Sequence, residues 1–181
     1  MYKRQPGECQ VTLSTSPYLT KLLGIPAVLD YPHGCFEQKS SRLLVYTALA
    51  KLLAYLPQPA ERSENYRRVI EETLKEFDKS ILPDDTLPYW PYGTTGNAFV
   101  TIQSAWAVAQ AVQAGLEVPS GLTDALPHAL TQMVLRKSRL EVDPTLRAFA
   151  ICALSQLQNE PDDDLTAAAN EIFLGRGGGE I

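Results

Sequence analysis

The chain has 181 residues, 45% of them hydrophobic and 20% charged, with a formal net charge of −5. That is enough apolar material for one real core. The acidic balance, with no basic cluster beyond short pieces such as Arg67–Arg68, leaves no footprint for nucleic acid or an anionic membrane surface.

No apolar run reaches the roughly 18 residues that mark a membrane span, and the opening "MYKRQPGECQ" lacks the apolar core of a secretory signal. The arbitrary look of "MYKRQ", and the glycine-rich "GRGGGEI" after a helical pattern, suggest a piece of a longer chain. Residues 1–15 read as the end of a preceding β module: "CQVTLSTSP" alternates Val11 and Leu13 with polar residues before Ser16–Pro17. From residue 16 to 175 the signals are helical, and 176–181 read as a disordered or truncated tail. A short first segment runs through Leu22, Leu23 and Val28, is interrupted by Pro26, and closes at the Pro32–Gly34 turn.

Residues 38–56 are apolar nearly all round, through Leu43, Leu44, Val45, Tyr46, Leu49, Leu52, Leu53 and Leu56, so this helix must be buried on most faces. Residues 61–81 differ. Tyr66, Val69, Ile70, Thr73, Phe77 and Ile81 recur at helical spacing, while Glu64, Arg67, Arg68, Glu71, Glu72 and Lys75 take the opposite face. After the loop "LPDDTLPYWPYGTTG", residues 97–114 are again apolar or small on nearly every face. Residues 120–137 are amphipathic, with Pro127 expected to bend them. Residues 144–158 are mostly apolar with Pro144 in the first turn, and 162–174 open on acidic residues suited to a helix N-terminus.

Inner-type and outer-type helices therefore alternate, with about 50 residues per pair, which points to an all-α fold: an α/α toroid of alternating inner and outer helices, incomplete, preceded by a short β segment. An open helical solenoid is the other architecture compatible with the pattern.

The chemistry-bearing candidates cluster at the start of the first long helix, in "YPHGCFEQKSSRLL". Cys35 and Gln38 are three residues apart at a helix start, which puts both side chains on one face. Gly34 would let the backbone turn before Cys35, and a helix N-terminus favours a thiolate and stabilises an oxyanion. A cysteine with apolar flanks is otherwise usually an inert packing residue. Cys152, in an apolar inner helix, is expected to be one, and Cys9 is undecided. His33, two residues from Cys35, is a conceivable base for a cysteine nucleophile, which would make the chain an acyl-transfer enzyme. Two histidines (His33, His128) and three scattered cysteines show no paired metal-ligand spacing, so neither a metal nor another cofactor is expected.

The same stretch resembles the thioester motif of the alpha-2-macroglobulin family, G-C-x-E-Q, in its bacterial form "YP-x-GC-x-EQ-x-x-SR". The downstream "LPYWPYGTTGNAFVTIQSAWAVAQAVQAG" is similar to a second block of the family, in the same order and at a matching separation, and the resemblance covers about residues 8–175. It implies a thioester domain of the complement-like toroid type and an internal thioester between Cys35 and Gln38, formed with loss of ammonia. Glu37 is a possible acid–base assistant, or simply a carboxylate serving the helix dipole. Tyr31, Phe36, Tyr89, Trp90 and Tyr92 become candidates to shield the bond from water.

The resemblance also implies an endopeptidase inhibitor rather than a turnover enzyme. It would trap target proteases covalently through their lysine amines, together with the rest of the same macroglobulin chain. Its location would be the bacterial periplasm, cell envelope or exterior, with no direct membrane contact by this domain. Family members with hydroxyl specificity transfer the acyl group through a later histidine. Here the only later histidine, His128, falls on an outer helix, so direct reaction with amines is expected. The alternative from another class is a non-catalytic α/α-toroid interaction module in which Cys35 is structural.

Overall fold

The computed structural model describes residues 34–53, 60–158 and 163–174. The strand-like segment, Cys9, Tyr31 and His33 lie outside these residues, as do the expected boundaries at residues 15 and 175. The described chain forms six α-helices: α1 Phe36–Leu53, α2 Ala60–Lys79, α3 Ala98–Gln113, α4 Ser120–Val134, α5 Pro144–Leu157 and α6 Asp163–Leu174. Each matches an expected helix, and the differences are confined to a few residues at the ends, where local signals are weakest.

Their packing follows the alternation read from the sequence. The apolar helices α1, α3 and α5 lie side by side, α3 touching both others, and each carries its own amphipathic partner: α2 on α1, α4 on α3 and α6 on α5. The partners also touch their neighbours, α2 with α4 and α4 with α6. The result is an inner layer of three helices backed by an outer layer of three, the arrangement of an α/α toroid arc.

Small residues allow the inner layer to pack closely. Along α3, Ala98, Ala105, Ala107, Ala109 and Ala111 are buried with Val100, Ile102 and Val108. Ser40 of α1 and Ser104 of α3 meet as a fully buried hydroxyl pair 2.7 Å apart, and Ser40 also donates to the Phe36 carbonyl, so neither hydroxyl is left unpaired at this interface. Outer helix α2 places Ile70, Thr73, Leu74 and Phe77 inward and leaves Glu64, Arg67, Arg68, Glu71, Glu72 and Lys75 exposed. Burying three large side chains such as Ile70, Leu74 and Phe77 supplies about 1.5–3 kcal/mol each.

Two helix starts are fixed by caps. The Asn97 side chain accepts from Val100 N–H at the head of α3, and the Asp143 side chain accepts from Leu146 N–H ahead of Pro144 at the head of α5. Pro127 lies inside α4 without ending it.

One expectation is overturned. Cys152 is exposed rather than packed. The apolar run of α5 covers more of its circumference than its neighbours α3, α4 and α6 enclose. Composition shows how apolar a helix is, and only packing shows which side stays open.

Candidate functional site

The site is built where the start of α1 meets the loop between α2 and α3. Lys39 N–H donates to the Cys35 carbonyl at 3.0 Å, which makes Cys35 the N-cap of α1 and Gln38 the third residue of its first turn. Those are the two positions whose side chains face each other across a helix start, as in the reciprocal capping arrangement. Cys35 is 1% exposed, and Phe36 is fully buried with its ring edge-on to Phe77 of α2, centroids 5.4 Å apart. The Gln38 carbonyl oxygen Oε1 is buried and has no hydrogen-bond partner.

The loop is held at its base and free at its tip. Leu87, fully buried, donates its N–H to Thr101 Oγ1 at 3.0 Å and accepts from Asn97 N–H at 2.9 Å, while Thr101 Oγ1 donates to the Asn97 carbonyl at 2.8 Å. Pro88 and Gly96 form an isolated antiparallel bridge. Gly96 is required by space: a Cβ there would lie 2.0 Å from Thr86 Oγ1. Thr86 is itself held by a 2.6 Å hydrogen bond to Asp84.

From this base the loop reaches back to α1 twice through one residue. The Tyr89 carbonyl accepts the Phe36 N–H at 2.9 Å, pairing one of the helix's orphan donors, and the Tyr89 hydroxyl donates to Glu37 Oε2 at 3.1 Å. Tyr89 thus straps the turn that carries Cys35. Its pKa is raised above the ordinary tyrosine value, first by the hydrogen bond to Glu37, which only the protonated phenol can donate, and then by the neighbouring Cys35.

The expected shield residues are placed unevenly. Phe36 is buried beneath the turn, Tyr89 lies across it at its exposed margin, and Trp90 packs edge-on to Tyr89, ring centroids 5.6 Å apart, while remaining 57% exposed. Tyr92 is 99% exposed and has positive φ (65°), so it stands in solvent at the loop tip and covers nothing here. Tyr31 lies outside the described residues.

A side chain at Gly34 would meet the end of the Lys39 side chain, whose Cε lies 2.9 Å from the Cβ position.

His128 lies on the outer surface of α4, mostly exposed, with Nδ1 2.6 Å from Asp85 Oδ2 and Nε2 near Gln132. Among the described residues no group of three or more His, Cys, Asp or Glu side chains is placed to hold a metal ion.

Sequence reasoning missed Ser40, Ser104 and Gln103. Gln103 on α3 donates to Ser41 on α1 at 3.0 Å and, like Gln38, has a buried carbonyl oxygen without a partner. The available signal was the appearance of polar residues inside otherwise apolar helices, which marks an interior contact rather than a surface.

No protein-family model matches this sequence, and no curated protein matches it significantly. Among solved structures the chain is similar to native alpha-2-macroglobulin from Escherichia coli, in a crystal structure spanning the residues from domain MG7 to the C-terminus. The TM-score is 0.69 at 17% sequence identity, over 86% of this chain and 25% of that one. The two share the fold, and this chain spans about a quarter of the length of that structure.

Proposed function

We propose that this chain is the thioester-bearing helical segment of an alpha-2-macroglobulin-like inhibitor that traps proteases covalently. The observation that carries the reading is the start of α1. A buried cysteine at the N-cap is followed, three residues on in the first turn, by a glutamine whose carbonyl oxygen is buried yet makes no hydrogen bond. A buried amide oxygen without a partner is costly, and an acyl group destined to lose its amide nitrogen is one reason to tolerate it. The fold likeness and the two sequence blocks support the same reading.

The chemistry follows from the placement. The Cys35 sulfur, as thiolate, attacks Gln38 Cδ; the resulting oxyanion lies at the positive end of α1. Collapse expels the amide nitrogen as ammonia, which carries away a proton, and an Sγ–Cδ bond remains. The Glu37–Tyr89 pair stands beside this step and can pass a proton to the departing nitrogen. No cofactor is called for.

The stored acyl group must then be kept dry until a protease lysine amine attacks Gln38 Cδ, forms an amide and returns Cys35 as a thiol. Direct aminolysis is the expected route, since His128 is engaged by Asp85 on the outer face. By the same reading the protein works in the bacterial envelope or outside the cell, and the bait for the protease lies elsewhere in the same protein.

The test is methylamine treatment of the protein as its cell makes it, followed by mass spectrometry and thiol titration. Expected are methylamine on Gln38 and one new thiol at Cys35, with labelled amine taken up far faster than labelled glycerol, and no change in that preference for His33→Ala or His128→Ala. A Gln38 that keeps its amide beside a Cys35 titratable from the outset would reduce the site to a structural cysteine in an interaction module.

A further inference from the structure

An electrophile built beside an amine is in danger from that amine, and this site has one. Lys39 follows Gln38 directly, and its side chain does not extend into solvent. It folds back over the turn, with Nζ 5.2 Å from the centre of the Phe36 ring and 3.4 Å from where a Cβ on Gly34 would stand. The amine is therefore held against the residue that precedes Cys35. The side chain is only 14% exposed and is fastened by an ion pair and hydrogen bond to Glu76 of α2. Because Phe36 packs on Phe77, next to Glu76, the Lys39 contact belongs to the same junction between α1 and α2.

Granting the thioester reading above, we propose that Glu76 protects the bond from its own chain. An ammonium engaged by a carboxylate has no free electron pair and points toward α2. Freed of Glu76, the neutral amine would attack Gln38 Cδ; a Nζ–Cδ amide would form, the Cδ–Sγ bond would break, and the electron pair would leave with sulfur, which takes up the proton that nitrogen loses. The product is a dead trap: an internal Gln38–Lys39 isopeptide beside a free Cys35 thiol. Glu76 is in this sense a positioning residue. It acts on the site only through Lys39.

The experiment compares the wild-type protein with Glu76→Gln and with Glu76→Gln combined with Lys39→Arg, whose guanidinium keeps the charge but is not a nucleophile. Intact mass, thiol titration, methylamine uptake and tryptic mapping are read together.

In Glu76→Gln the expected outcome is loss of most methylamine uptake, a titratable Cys35, no regained ammonia mass, and loss of tryptic cleavage after Lys39. The double variant should recover methylamine uptake, which a purely structural role for Glu76 would not produce. If Glu76→Gln does not fold, Glu76→Asp, whose shorter side chain holds the Lys39 ammonium less well, should lose part of its methylamine uptake to the same Gln38–Lys39 crosslink, and adding Lys39→Arg should restore it. A Glu76→Gln or Glu76→Asp protein that reacts with methylamine as fully as wild type, or a loss of uptake that Lys39→Arg does not restore, overturns the inference. A wild-type protein with Cys35 titratable from the start overturns the thioester reading itself, and this inference with it.

Discussion

Among the described residues, polar groups at the junction of α4, α5 and α6 and at that of α1 and α3 are satisfied to different degrees. At the junction of α4, α5 and α6, Arg147 is 4% exposed, and its guanidinium donates twice to the Val134 carbonyl, at 3.1 and 2.8 Å, and once to Glu171 at 3.3 Å. Arg136 reaches the same Glu171 at 2.9 Å. A cation thus closes the C-terminal end of α4, where carbonyls lack helical partners.

At the junction of α1 and α3, by contrast, Gln38 and Gln103 each bury a carbonyl oxygen that nothing bonds. The first cluster uses its polar groups to join helices. The second leaves two acceptors open at a place where a cysteine is capped, strapped and nearly sealed. Buried polarity by itself is therefore no guide to reactivity; the degree of satisfaction separates the two clusters.

Substitutions can sharpen this contrast. The largest loss of stability is expected for Arg147→Ala, which strands the Val134 carbonyl and empties the space the side chain fills. About 2–3 kcal/mol should disappear from the unfolding free energy measured by denaturant titration, with only a minor part from the exposed Glu171 contact. A change below experimental error would mean that the α4–α5 junction does not depend on it.

Next comes Thr101→Val, which keeps the shape but leaves the buried Leu87 N–H without an acceptor, at about 1–2 kcal/mol. Because Leu87 anchors the loop that carries Tyr89, this variant should also raise the hydrogen-exchange rate of the Phe36 amide. Unchanged exchange there would break the proposed strap.

A smaller effect of opposite sign is expected at the loop tip. Tyr92 has positive φ, an unfavourable region for an aromatic residue, and it is fully exposed. Tyr92→Asn should stabilise the protein by up to about 1 kcal/mol, seen as a rise in Tm; a fall would show that the ring does something in the folded chain that its exposure does not reveal.

The smallest change in stability, within about 0.5 kcal/mol, belongs to Trp90→Ala, since more than half of that residue is already in water. Its effect should appear elsewhere, as faster spontaneous loss of the proposed thioester. An unchanged lifetime would leave Tyr89 and Phe36 as the covering residues.

The helical class, the six described helices and their alternation were legible in the sequence because each is written in local periodicity. Leu43 and Tyr46 recur in an otherwise apolar α1, and Ile70, Leu74 and Phe77 recur against a charged face in α2. The spacing of Cys35 and Gln38 at a helix start was legible for the same reason.

What only the tertiary structure decided depends on contacts between residues far apart in the chain. These include the Tyr89 strap on Phe36 and Glu37, the Ser40–Ser104 pair, the Lys39–Glu76 ion pair, the burial of Arg147 and the exposure of Cys152. A periodic pattern specifies how much of a helix must be covered. Which neighbour covers it, and which polar atoms are then left without a partner, is set by how the helices and the loop between α2 and α3 pack around one another.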